Sequence, residues 1–249
     1  MNSKKVVVNF ASVGREDYLS GQLRLMKSCI NAGWTGDFLF RALDGYCDNY
    51  MGHPILLGSQ PVMEKYGHSS PHKEVPFQFK VNMIQEAREK GYEQIVWCDA
   101  SVTMEKDITP LLDYAKEYGV CAVDNLNFPL HAWLSDAAQE KLGISNDDLW
   151  TIPQLMACMV CIDTTNPVGI QVLDEWMEGS RDGVSFMDEY ASRRPGFVHT
   201  RWDQSYLSGV LWKHNIPLLP YGKLVYEPFD VTKEYGHDIY FVNRQIAPR

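Results

Sequence analysis

In the stretch GYEQIVWCDASVTMEKDITP, residues 91–110, four residues suited to a buried strand, Ile95 to Cys98, run into a carboxylate, Asp99, followed by the small Ala100 and Ser101. A strand end of this kind can hold a cation, because Mg2+ or Mn2+ takes one or two carboxylates and fills its other positions with phosphate oxygens and water. Asp-Ala-Ser is also an ordinary turn sequence. A second cluster, HTRWDQSYLSGVLWKHN at 199–215, places His199, Arg201, Asp203 and Gln204 ahead of Tyr206, Leu207, Val210 and Leu211 at helical spacing. An aspartate at a helix start is most often an N-cap, worth about 1 kcal/mol, and Asp203 fits that role. Gln204 is not explained by capping. Together the two offer a carboxylate and an amide at one helix mouth, a pair suited to sugar hydroxyls or to a contact beside a metal.

The elements that must position these residues are legible from periodicity. KKVVVNF and DFLFRAL read as strands around the helical stretch YLSGQLRLMKSCINAGW. PFQFKVNMIQEAREKG reads as a helix stopped by glycine and YEQIVWCD as the next strand, with a further helix in LLDYAKEYG and strands in VCAVDN and MACMVCID. NPVGIQVLDEWMEG is a helix with Pro167 near its start. Helices alternating with buried strands predict an α/β domain, Rossmann-like, with a mostly parallel sheet and helices on both faces. Ligands of such sheets bind beyond the carboxyl ends of the strands, where FASVGRED, CDAS and DNLNF all fall. Asp99 therefore stands where a site is expected.

The chain has 249 residues, a length routine for one α/β domain, and 45% hydrophobic and 22% charged residues with no repeat or low-complexity segment. A net charge of −9 disfavours general adhesion to nucleic acid or anionic lipid. The N-terminus carries only a strand-length apolar run, and no segment approaches the roughly 20 apolar residues of a membrane span, so a cytoplasmic protein is expected. The six cysteines read as reduced core residues. CMVC, 158–161, has CxxC spacing, but a regular strand would put its two thiols on opposite faces. His68 and His72, around Pro71, are expected in an exposed loop.

The order and spacing of YEQIVWCDASVTMEKDITPLL and RWDQSYLSGVLWKHNIPL, with PFQFKVNMI before the first and MACMVCIDTTNPVGIQVLDEWMEG before the second, resemble nucleotide-sugar glycosyltransferases of the GT-A fold, closest to the family 8-like group and its less characterised relatives. The resemblance covers residue 4 to about 220. It implies a single GT-A-like domain over 1–249, with 1–125 as the nucleotide-sugar-binding half and 126–249 as the acceptor-side half. It implies a hexosyl- or pentosyltransferase taking a nucleotide-sugar donor to a glycan, small-molecule or protein acceptor. Ala11 and Ser12 are then expected near the base, Arg15 near phosphate or ribose, Tyr18 stacked on the base, and Lys80 against the diphosphate. Asp99, Ser101 and a C-terminal histidine, His237, are expected around Mn2+ or Mg2+, and Asp203 and Gln204 at the reacting sugar. The sequence departs from the usual Asp-x-Asp motif, having Asp99-Ala100-Ser101, and a serine hydroxyl is the weaker ligand. Close likeness to family 8 implies retention at the anomeric carbon; a distant one leaves Asp203 or Asp124 as a base for inversion. Two alternatives stay open: a catalytically silent nucleotide- or sugar-binding protein of the same fold, and a viral-type transferase acting on modified DNA bases. Phe128, Trp133 and Trp150 either stack on an acceptor sugar or belong to the core.

Overall fold

The computed structural model describes residues 3–11, 16–42, 49–50, 53–54, 75–187, 192–226 and 238–244. Strand β1 (Lys5–Ala11) leads into helix α1 (Glu16–Asn31) and β2 (Asp37–Ala42), and a two-residue pair, β3 (Asn49–Tyr50) and β4 (His53–Pro54), follows. Next come α2 (Gln78–Glu89), β5 (Gln94–Cys98), β6 (Val102–Met104), α3 (Thr109–Tyr118) and β7 (Val120–Pro129). The chain continues through α4 (Asp136–Leu142), β8 (Pro153–Asp163), α5 (Pro167–Arg181), α6 (Trp202–Lys213), β9 (Leu224–Tyr226) and β10 (Phe241–Asn243).

The central sheet has the order β2-β1-β5-β8-β7. β1 is parallel to β2 and β5, whereas β8 is antiparallel to both β5 and β7, so β8 alone of the five is reversed. The sheet is mainly parallel, as expected, and the reversal has a local cause. The segment between β7 and β8 returns the chain at the same end of the sheet, where Pro129 and Pro153 pair. A smaller sheet, β6-β10-β9, continues beyond Asp99, with β10 antiparallel to β6 and parallel to β9.

Alternation along each strand sorts the apolar residues into two layers. Val6, Val8, Ile95 and Trp97 pack with α2, α4, α5 and α6, and Val7, Val96 and Cys98 pack with α1 and α3. The alternation breaks once. On β8, Ala157 and Val160 face the α2 side while Cys158, Met159 and Cys161 all face the α1 side. Pairing with β7 shows the same irregularity, since Cys121 opposes Cys161 but Val123 opposes Met156. The extra residues form a bulge. It brings both CxxC thiols to one face, contrary to the expectation of opposite faces, and Cys29, Cys98, Cys121, Cys158 and Cys161 are all free and buried in that single layer.

Helix signals are local. The Asn166 side chain accepts the Val168 N–H at 2.8 Å, with Pro167 in the first turn of α5, and α3 ends on Gly119 with φ 88°.

Candidate functional site

Asp99 lies one residue past β5, and its backbone is clamped on both sides. Its N–H donates to the Cys158 carbonyl at 2.8 Å and its carbonyl accepts the Val102 N–H at 2.9 Å. Trp97, two residues earlier and so on the same face of the strand, donates its indole N–H to Asp99 Oδ1 at 2.7 Å. The carboxylate is thereby aimed toward α2. Beneath the turn, α1 comes so close that a Cβ on Gly21 would overlap the Ala100 carbonyl; only glycine permits that approach. From the next residue of α1, Gln22 donates to Asn9 Oδ1 and to the Arg41 carbonyl, both at 2.7 Å, and Asn9 Nδ2 donates to the Cys98 carbonyl at 2.5 Å. These bonds tie the carboxyl ends of β1, β2 and β5 into one rim.

Across from Asp99 stand Lys80, on the first turn of α2, and Asp203, on the first turn of α6. Lys80 Nζ lies 2.8 Å from Asp203 Oδ2 and 3.7 Å from Asp99 Oδ1, and donates to the Ala157 carbonyl at 2.9 Å. The Lys80 and Asp203 side chains are only 3% and 4% exposed, against 36% for Asp99. One carboxylate is sealed in and the other faces out. Burial opposes the charge on Lys80, but Asp203 first and Asp99 second outweigh it and hold the ammonium above its ordinary pKa. Burial pushes the Asp203 carboxyl up, against the pull of Lys80. The opposed pushes belong to one buried pair, and the short contact keeps it ionic.

The expectation that Asp203 caps its helix is not met. α6 begins at Trp202 with Arg201 as its flanking residue and no side-chain cap; Asp203 is turned inward to Lys80 instead. The helix start is held from the sheet. Gln154 Nε2 donates to Ser205 Oγ at 3.0 Å and the Leu155 N–H to Ser208 Oγ at 3.0 Å, two hydroxyls in an otherwise apolar run.

A cleft of about 410 Å³ opens over these groups, lined by Lys80, Asp99, Asp203 and Gln204 and walled by Phe128, Arg201, Trp202 and Asn243 among others. Three non-glycine residues with positive φ line it: Phe77 at 60°, Leu126 at 56° and Trp202 at 38°. Conformations that L-residues rarely adopt collect at functional sites because surrounding structure must impose them. The Phe77 and Trp202 rings meet at 5.2 Å between centroids, tilted by 35°. Arg201 sets its guanidinium 5.0 Å above the Trp133 ring.

Solved structures of the same architecture carry sugar-transfer enzymes. The bifunctional glycosyltransferase WbbM, in its apo structure, aligns over 97% of this chain and 45% of its own, with 14% identity and a TM-score of 0.54. Mouse xyloside xylosyltransferase 1, in its apo form, aligns over 98% of this chain and 97% of its own, with 9% identity and a TM-score of 0.55. The fold is that of GT-A glycosyltransferases. The chain thus spans less than half of WbbM and nearly all of the xylosyltransferase. No protein-family model and no curated protein matches the sequence.

On this glycosyltransferase fold, the residues singled out from sequence separate into three groups. Lys80, Asp99, Asp203 and Gln204 converge on the cleft. Tyr18, half-buried on α1, and Ser101, whose carbonyl accepts the Arg244 N–H at 2.9 Å, are not among its lining residues, and neither is Asp124. Ala11 ends β1 opposite Ala42, and Ser12, Arg15, His68, His72 and His237 lie outside the described residues. Phe128 lines the cleft, whereas Trp150 stacks on His131 at 3.6 Å and Trp133 sits edge-on to Phe128. Sequence reasoning missed Trp97, Phe77, Asn125 and Asn243. Trp97 was within reach, since strand alternation places it beside Asp99; the others are set by distant segments.

Of the donors expected around a metal, Ser101 does not line the cleft and His237 lies outside the described residues. Among the described residues no three His, Cys, Asp or Glu side chains are placed to hold an ion. Asp99 has one oxygen engaged by the Trp97 indole and faces an ammonium 3.7 Å away, and Asp203 is buried against the same lysine. The described residues therefore do not fit a divalent cation held by the protein.

Proposed function

We propose that this protein transfers a sugar, hexose or pentose, from a nucleotide-sugar donor to an acceptor hydroxyl in the cleft above Asp99. The observation that carries the reading is the convergence of Lys80, Asp99, Asp203 and Gln204 at the carboxyl ends of the strands, on a fold shared with WbbM and xyloside xylosyltransferase 1. The acceptor oxygen forms a bond to the anomeric carbon as the bond from that carbon to the diphosphate breaks. The electron pair leaves with the nucleoside diphosphate, and the acceptor proton follows it to a phosphate oxygen.

Each side chain has a part in this. Asp99 and Gln204 face the cleft and offer acceptors and donors for sugar hydroxyls. Asp203 is sealed against Lys80, so its role is to fix the lysine and not to take the acceptor proton. That disposition favours the retaining course over base-assisted inversion. Preorganised charge beside the leaving group is the largest contribution such a site can make. Phe128, Trp202 and Arg201 form the wall that receives the acceptor, aromatic faces suiting the apolar side of a sugar ring.

The test is a panel of nucleotide sugars read first by thermal shift and then by nucleotide release, on the parent and on Asp99→Asn and Gln204→Ala. One donor class should raise the melting temperature and be turned over, with each variant slower by at least about tenfold, or about 1.4 kcal/mol of transition-state stabilisation. Binding without turnover by the parent would favour a silent binding protein; no binding by any donor would remove the reading.

A further inference from the structure

We infer that the working cation of this site is built into the chain: the Lys80 ammonium stands where an Asp-x-Asp site carries its divalent metal, and transfer proceeds without added metal. The inference rests on reading the cleft as the donor site.

The Lys80 ammonium donates to the Ala157 carbonyl at 2.9 Å and is held as an ion pair by Asp203 Oδ2 at 2.8 Å and, more loosely, by Asp99 Oδ1 at 3.7 Å. That is a cation held by two carboxylates and a carbonyl, the donor chemistry of a hard-metal site. Its placement is fixed by packing as well, for Nζ lies 5.4 Å from the centroids of both Phe77 and Trp97. The position that would supply the second acid of the motif is Ser101, which is not a lining residue of the cleft. A dication taken up on Asp99 would stand beside the Lys80 ammonium, 3.7 Å from Asp99 Oδ1, and like charges repel.

Arg201 lines the same cleft, so two fixed cations, Lys80 and Arg201, stand there beside Asp99 and Asp203. As the bond to the diphosphate breaks and negative charge grows on the leaving oxygen, the ammonium and guanidinium supply the stabilisation that a metal gives elsewhere. Both are present before the donor arrives.

The experiment uses the whole chain stripped with EDTA. Uptake of Mn2+ is followed by electron paramagnetic resonance with uridine diphosphate present and absent, and the rate of transfer or donor hydrolysis is measured in EDTA and in Mn2+. The parent should take up no Mn2+ beyond what the nucleotide alone binds, and its rates in EDTA and in Mn2+ should agree within about twofold. Lys80→Ala leaves Asp99 and Asp203 facing the vacated place, so it should gain Mn2+ uptake and a melting temperature that rises with Mn2+, which the parent's does not. Parent Mn2+ uptake that depends on the protein, His237 contributing or not, or a rate lost in EDTA and restored by Mn2+, would overturn the inference. So would a folded Lys80→Ala that takes up no Mn2+. Should that variant not fold, parent Mn2+ uptake decides alone, and because it needs no turnover it stands even if no donor is ever found.

Discussion

Asp99 and Asp203 share one lysine, and burial gives them different work. Asp203 is sealed and neutralises Lys80; Asp99 keeps an oxygen for the cleft. Removing charge from the sealed member leaves a buried ammonium without its main partner, so Asp203→Asn should lose roughly 3 kcal/mol, measured by urea unfolding. A helix cap would have tolerated that change. Gln204→Ala, half-buried at the same helix start, should unfold like the parent and still transfer sugar at least about tenfold more slowly. An Asp203→Asn protein as stable as the parent would mean that Lys80 finds its compensation elsewhere. Asp99 was legible in the sequence because it follows a buried strand at the end of the sheet where ligands bind. The inward turn of Asp203 was not, because a helix start announces itself locally while the lysine opposite belongs to a helix far back in the chain.

At the scale of elements, the longer helices were legible because apolar spacing and stop residues are written within each one, as in α2 before Gly91 and α5 after Asn166, whereas the seven-residue α4 was not. The reversal of β8 was hidden, since alternation along a strand has no direction, and its bulge was hidden because β8 is buried on both faces and reads as one apolar run. The joint that follows α5 depends on a single carboxylate. Asp182 accepts the N–H groups of Val184 at 2.9 Å and Ser185 at 2.8 Å, the Ser185 hydroxyl, and the Lys141 ammonium at 2.9 Å. Burial pushes this carboxyl up, but those donors outweigh it and hold its pKa below the ordinary aspartate value. A folded-state pKa below the unfolded one adds stability that is complete above the unfolded value, near 3.9, and is lost as pH falls through the folded one. Asp182→Ala should therefore cost about 2 kcal/mol at neutral pH. Its deficit relative to the parent should shrink as unfolding is repeated from pH 5 downward; a deficit independent of pH would mean that packing, not charge, is what the substitution removes.

The described residues form two helical layers on the central five-stranded sheet, with the cleft at the end where its parallel strands finish. That arrangement followed from alternating elements alone, and so did the end of the sheet at which chemistry collects. What no periodicity carried was the convergence of α2, β5 and α6 on one point, because it depends on the serines that pin α6 to β8 and on the glycine that lets α1 approach the Asp99 turn. Nor does the sequence show that the described thiols all share one layer, since it is the bulge in β8 that turns Cys158 to the side of Cys161.

That one-sided distribution makes the protein its own reporter of motion. Burial drives the thiols of Cys29 and Cys158 up to about 12, and Cys98 is also raised well above the ordinary value, first by burial. Such thiols are inert toward disulfide reagents until water reaches them. The opposite layer holds none among the described residues. Labelling by a chromogenic disulfide in native buffer, resolved residue by residue by mass spectrometry, then clocks the opening of the α1 and α3 side alone. Cys29, on α1, and Cys121, on β7, should label together if that layer lifts as one unit. If Cys29 labels far ahead, α1 separates first, and with it the support beneath the Asp99 turn.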